Sequence, residues 1–153
     1  MPKDYIFNLE VIPETFQKFR NPQDVNAVVT RRNNKGFYLV LHTSSGEELQ
    51  LTKEKRMMFF PLEPIAHLYQ KLGTFYMENF IVCNENMTCI NKNNIKDFSL
   101  QQEQIKKRYY ITTTFKNGTT VRTSRFCKKE KGLKKEFDAL IKALKNEGPS
   151  YIL

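Results

Sequence analysis

The sequence predicts an α+β fold, mostly antiparallel β-sheet with two helices, built as two hairpin-plus-helix halves. Three observations predict it. Aromatic and β-branched runs flank Gly-containing turns twice, at Ser44-Ser45-Gly46 and at Asn117-Gly118. Each of these hairpins leads, directly or after a further apolar run, into a stretch whose apolar residues recur at helical spacing. Short apolar runs broken by polar turns occupy the space between. Asn-Gly is the strongest short hairpin signal because both residues accept the positive φ that a tight turn of matching twist requires.

Taken in order, residues 5–12 carry Ile6, Leu9, Val11 and Ile12, a spacing that fits a strand or a short helix. Arg31-Arg32-Asn33-Asn34-Lys35-Gly36 is a basic turn, read as a hairpin connection ahead of the strand 37–42. That strand passes through the Gly46 turn into 47–51. Leu62, Ile65, Leu68, Tyr69 and Leu72 share one helical face, so a helix is predicted over 63–72, with Pro64 in its first turn and Gly73 at its end. Strands follow at 80–83, 87–90 and 95–98. Residues 101–107 hold few apolar side chains and are expected to form a loop leading into strand 108–115. After Asn117-Gly118 the chain returns over 119–124. Leu133, Phe137, Leu140, Ile141 and Leu144 then predict a helix over 131–145, stopped by Gly148-Pro149. The 153 residues suffice for one domain over 1–153, with two pseudo-repeats at about 5–73 and 74–147.

Charge is distributed very unevenly. Residues 104–153 hold thirteen basic side chains against four acidic ones, a net of +9, whereas residues 1–103 hold twelve of each sign. A one-sided block of this kind attracts polyanions and speeds their encounter while specifying little about fold. Nucleic acid, an anionic membrane surface and an acidic protein are the partner classes it admits.

Within the block, Lys106, Lys107, Arg108, Tyr109 and Tyr110 interleave cations with aromatic rings, a combination suited to phosphate contact and base stacking. On the returning strand Thr120, Arg122 and Ser124 fall on one face by the period-2 rule, with Lys116 at the hairpin tip in reach of the same partner. Arg125, Lys128, Lys129 and Lys131 approach the start of the last helix, whose dipole already presents positive charge, so a bound anion would relieve their repulsion. The expected nucleic-acid surface is therefore Lys106, Lys107, Arg108, Tyr109, Lys116, Arg122, Ser124, Arg125, Lys128 and Lys129. Lys134, Lys135, Lys142 and Lys145 are read as keeping the helix solvated.

No enzyme activity is expected. His42 and His67 have no sequence-local carboxylate or thiol arrangement that names a reaction, and the six glycines form no phosphate-binding loop. Cys83, Cys89 and Cys127 include no C-x-x-C pair and are read as buried structural residues, with no metal or cofactor. The N-terminus lacks a signal-peptide layout and no run approaches the roughly 18 apolar residues of a membrane span, so a cytoplasmic setting is expected.

Several of these elements, taken together, resemble a LytTR-type DNA-binding domain, the mostly-β module of many bacterial response regulators. The resemblance spans about residues 24–142. It rests on the helix at 63–72, Phe80 starting a strand, Asn91 followed four residues later by Ile95, the Asn117-Gly118 hairpin, and Ser124-Arg125 six residues after the glycine. In the loop where that family carries His or Arg and a Ser, this chain has Glu85, Asn86 and Met87, and the spacing from Phe80 to Asn91 is about one residue longer. The resemblance implies duplex DNA as partner and a bacterial or phage regulatory setting, with DNA preferred over RNA. Two other architectures fit the pattern: a pleckstrin-homology-like module presenting a groove to an acidic protein, and a PUR-like duplicated sheet that stacks single strands.

Overall fold

A computed structural model describes residues 5–6, 9–56, 80–83, 86–146 and 150–152. The predicted helix over 63–72 and the loop position Glu85 lie outside the described residues. The fold class is the expected one, mostly antiparallel sheet with two helices among the described residues.

The strands are β1 (Tyr5–Ile6), β2 (Leu9–Glu10), β3 (Val25–Asn33), β4 (Gly36–Thr43), β5 (Glu48–Gln50), β6 (Phe80–Cys83), β7 (Thr88–Asn91), β8 (Ile95–Gln102), β9 (Tyr109–Phe115), β10 (Thr120–Arg122) and β11 (Ser150–Ile152). The helices are α1 (Pro13–Phe19) and α2 (Lys134–Lys145). β1 and β2 pair with each other. A six-stranded sheet runs β11-β6-β7-β3-β4-β5, and a three-stranded sheet runs β10-β9-β8. All described pairings are antiparallel except β11 with β6.

The middle strands of the six-stranded sheet are covered on both faces, which is why they read as nearly continuous apolar runs. Val28, Leu39, Leu41, Val82 and Cys89 face one way and bury against Leu9, Val11, Phe19 and Leu51. Ala27, Val29, Val40, Ile81 and Ile90 face the other way, onto Ile95, Ile111, Phe115 and Val121 of the three-stranded sheet and Leu140 of α2. The basic turn at 31–36 is the hairpin connection between β3 and β4, with Arg31 and Arg32 still inside β3. Gly36 is obligatory there: its φ is +136°, and a Cβ would stand 2.3 Å from the Lys55 carbonyl oxygen.

Several elements differ from expectation. β3, the central strand, was not predicted, because its apolar residues Val25, Ala27, Val28 and Val29 precede a polar half with no single period. Residues 5–12 supply two strand fragments, the strand alternative of the two expected, and a helix that was not predicted follows from Pro13, a residue suited to a first helical turn. Of the expected loop at 101–107, residues 103–107 form the hairpin turn, while Gln101 and Gln102 still continue the ladder opposite Tyr110 and Tyr109. The last helix starts at Lys134 after a 3₁₀ turn over Glu130–Leu133, and its buried stripe uses Ala143, leaving Ile141 37% exposed.

Candidate nucleic-acid interface

The basic surface is built at one end of the three-stranded sheet. β8 and β9 are joined by a hairpin whose base is closed by the Glu103 N–H donating to the Arg108 carbonyl at 2.7 Å. Beyond β10 the chain turns back along β9, where Tyr109 and Cys127 exchange backbone hydrogen bonds of 2.7 and 2.8 Å. Antiparallel pairing at that point makes residues 106–108, entering β9, and residues 128–129, leaving Cys127, depart from the same edge of the sheet. The pairing holds the two departure points, Tyr109 and Cys127, about one strand spacing apart, roughly 5 Å. Lys106, Lys107, Lys128 and Lys129 are exposed, and Lys107, Lys128 and Lys129 form no ion pair among the described residues.

Beside this edge lies a cation–aromatic cluster. The Arg108 guanidinium lies 3.9 Å from the centre of the Phe126 ring and that of Arg122 lies 4.3 Å from it, while Tyr110 meets the same ring edge-on at 5.4 Å. Arg108 also donates to both Glu103 carboxylate oxygens, at 2.9 and 3.0 Å. These hydrogen bonds hold the Glu103 carboxyl below its ordinary range, helped by the neighbouring positive charges. Arg122 donates to the Ser124 carbonyl at 2.7 Å, and burial together with the Arg108 charge pushes its pKa down. The two arginines are thus held in place by the protein itself, with their guanidinium groups over an aromatic ring. Phe126 was missed in the sequence reading, although its position between Arg125 and Lys128 was a usable signal.

Three of the expected site residues must be reassigned. Ser124 is buried, 1% exposed; its hydroxyl accepts from the Ile111 N–H at 2.8 Å and donates to the Arg125 carbonyl. The reason is a bulge-like irregularity, since the N–H groups of Thr123 and Ser124 both point at the Ile111 carbonyl, which breaks the alternation that would have placed Ser124 beside Arg122. Ser124→Ala is expected to cost about 1–3 kcal/mol of stability by orphaning the Ile111 N–H, as measured by denaturant unfolding, while leaving polyanion affinity unchanged. Tyr109 packs against the core, and it is Tyr110 that faces the arginines. Lys116 is exposed at the opposite end of β9, about 20 Å away at 3.3 Å per residue. Its hairpin docks elsewhere: the Lys116 N–H donates to the Asn94 carbonyl, and Asn117 donates to the Ser44 carbonyl.

The cysteines and His42 stand apart from this surface. Cys83, Cys89 and Cys127 are free and buried, and burial pushes the Cys89 thiol up to about 12 and raises Cys83 as well. His42 lies in a cleft of about 230 Å³ shared with Arg31, Asn86 and Arg122, its Nε2 being 3.5 Å from the Glu48 carboxylate without a hydrogen bond. Burial lowers its pKa below 6.5, opposed by Glu48 and reinforced by Arg31. The folded state therefore binds fewer protons than the unfolded chain as pH drops through 6.5. Stability from this group is complete at higher pH and lost on acidification. Thermal unfolding should show a midpoint that falls between about pH 7 and 5.5, and His42→Gln should make that fall smaller.

Comparison of the chain with protein-family models, with curated proteins and with solved structures returned no match. No helix among the described residues is long and apolar enough to cross a membrane, and no group of three or more potential metal ligands occurs among them.

Proposed function

We propose that this chain is a non-enzymatic nucleic-acid-binding protein that grips a phosphate backbone with the end of its three-stranded sheet. The observation that carries the reading is the Tyr109–Cys127 pairing, which brings the segments carrying Lys106, Lys107, Lys128 and Lys129 to one edge of the sheet, beside the braced arginines. Lysines on such an edge neutralise phosphates and release counterions, and guanidinium groups already ordered over Phe126 lose little freedom when they meet a further phosphate or sugar. Among the expected residues, the working surface is Lys106, Lys107, Arg108, Arg122, Arg125, Lys128 and Lys129. DNA as the preferred polymer and a role as a bacterial or phage regulator rest on the likeness of residues 24–142 to LytTR-type domains, and a cytoplasmic setting rests on the free cysteines.

The test is fluorescence anisotropy of labelled random duplex and single-stranded DNA at two salt concentrations. Micromolar or tighter binding with a steep salt slope is expected, with duplex preferred. Absence of binding at low salt would overturn the reading.

One observation favours a second reading. A groove of about 460 Å³ runs between Leu100 on β8 and Leu133 and Phe137 at the start of α2, with Lys131 and Lys134 at its rim. An acidic protein segment with an apolar anchor would suit that floor and rim, as in a pleckstrin-homology-like interaction module. Leu100→Asp would then abolish partner capture while leaving DNA affinity untouched.

A further inference from the structure

Ile105 is 92% exposed at the tip of the β8–β9 hairpin, whereas the next most exposed large apolar side chain among the described residues, Ile141, is 37% exposed. A lone exposed aliphatic residue is ordinary on a flat surface. At Ile105 the setting is different, because the side chain stands on a braced projection. The hairpin base is clamped by the Glu103–Arg108 backbone hydrogen bond and by Arg108 gripping the Glu103 carboxylate, while the Arg108 guanidinium is itself seated on Phe126. Lys107 adopts a φ of +52°, the left-handed conformation that turns the chain back into β9. Two lysines follow the isoleucine directly, and Lys128 and Lys129 emerge from the same end of the sheet.

We propose that Ile105 is an apolar wedge that enters between stacked base pairs of a duplex from the minor groove and kinks it. This rests on the nucleic-acid reading above. Proteins that deform DNA insert one aliphatic side chain at a base step and hold the flanking phosphates with cations, and the bent duplex then meets more of the protein surface. A narrow two-stranded tip carrying one branched aliphatic group beside Lys106 and Lys107 supplies both parts. An anionic membrane would also accept an isoleucine flanked by lysines. The duplex is favoured because the neighbouring Arg108 and Arg122 are fixed planes, suited to discrete phosphates more than to a fluid headgroup layer.

The experiment compares wild type, Ile105→Ser and Ile105→Leu, using a duplex of about 25 base pairs labelled at both ends for energy transfer and carrying 2-aminopurine at flexible steps. Ile105 lies outside the core, so all three proteins should fold alike, which circular dichroism checks. Wild type and Ile105→Leu are expected to shorten the end-to-end distance, by a kink within roughly 20–90°, and to raise 2-aminopurine fluorescence. Ile105→Ser should still bind with a steep salt slope, about tenfold more weakly, but leave the duplex straight and stacked. If Ile105→Ser bends and unstacks DNA as wild type does, or if wild type binds without bending, the wedge is refuted while the nucleic-acid reading stands. If wild type binds no DNA, both fail. A parallel sedimentation with phosphatidylcholine–phosphatidylserine vesicles identifies the competing role: Ile105-dependent vesicle binding without DNA bending would make the tip a membrane anchor and overturn the proposal.

Discussion

Replacing Lys106, Lys107, Lys128 and Lys129 together with alanine lowers nucleic-acid affinity on the order of a thousandfold at about 0.1 M salt. Each lysine that neutralises a phosphate contributes about 0.9 to the slope of log affinity against log salt, so the variant's slope should be shallower by about 3.6. The four side chains are exposed and make no contact on which the core depends, so the fold and its unfolding midpoint should change little. Salt titrations of binding read both quantities. The matched control replaces Lys134, Lys135, Lys142 and Lys145 with alanine, which removes four exposed charges from α2. If the control weakens binding as much as the first variant, general electrostatic attraction accounts for the affinity and the proposed surface is wrong. If both leave binding intact, the contacts lie elsewhere.

Asn91→Ala should be among the more destabilising polar substitutions, costing about 2–4 kcal/mol in denaturant unfolding. Asn91 is 2% exposed at the end of β7 and closes a junction between distant segments. Its amide donates to the Pro22 carbonyl at 3.0 Å and the Val25 carbonyl at 2.9 Å, and its side-chain oxygen accepts from the Asn93 N–H at 3.1 Å. The Val25 carbonyl keeps a second donor, Asn94, at 3.1 Å. Truncation therefore strands chiefly the Pro22 carbonyl and the Asn93 N–H, and it opens space between the entry to β3 and the exit of β7. Asn91→Asp should be comparably harmful, because a carboxylate cannot donate to either carbonyl. In this chain Asn91 is a structural clamp, so its loss should reduce nucleic-acid binding only in proportion to the unfolded fraction.

Much of the fold was legible because local rules and burial agree over much of it. The aromatic and β-branched runs of β4 and β9, the turn glycines Gly46 and Gly118, and the apolar stripe ending in Leu144 each carry their own period or turn chemistry. β3 and β11 were not legible for the opposite reason. β3 is half apolar and half polar, and β11 is a three-residue strand held by its parallel pairing with β6 and by the burial of Ile152 in the core beside α2. Strands of that kind exist because a partner edge awaits them, and a partner edge leaves no trace in the strand's own residues.

The candidate site divides in the same way. Composition alone determined that the last third of the chain is strongly basic, and local spacing determined that a hairpin and a helix carry that charge. Which charges act together was decided only by tertiary structure. The Tyr109–Cys127 pairing draws residues 106–108 and 128–129 to one edge, while the length of β9 carries Lys116 to the other end, and the irregularity at Ile111 turns Ser124 inward. Net charge is a sum that ignores position, whereas a phosphate contact depends on distances of a few ångströms, and those are set by strand register, which depends on residues far apart in the chain.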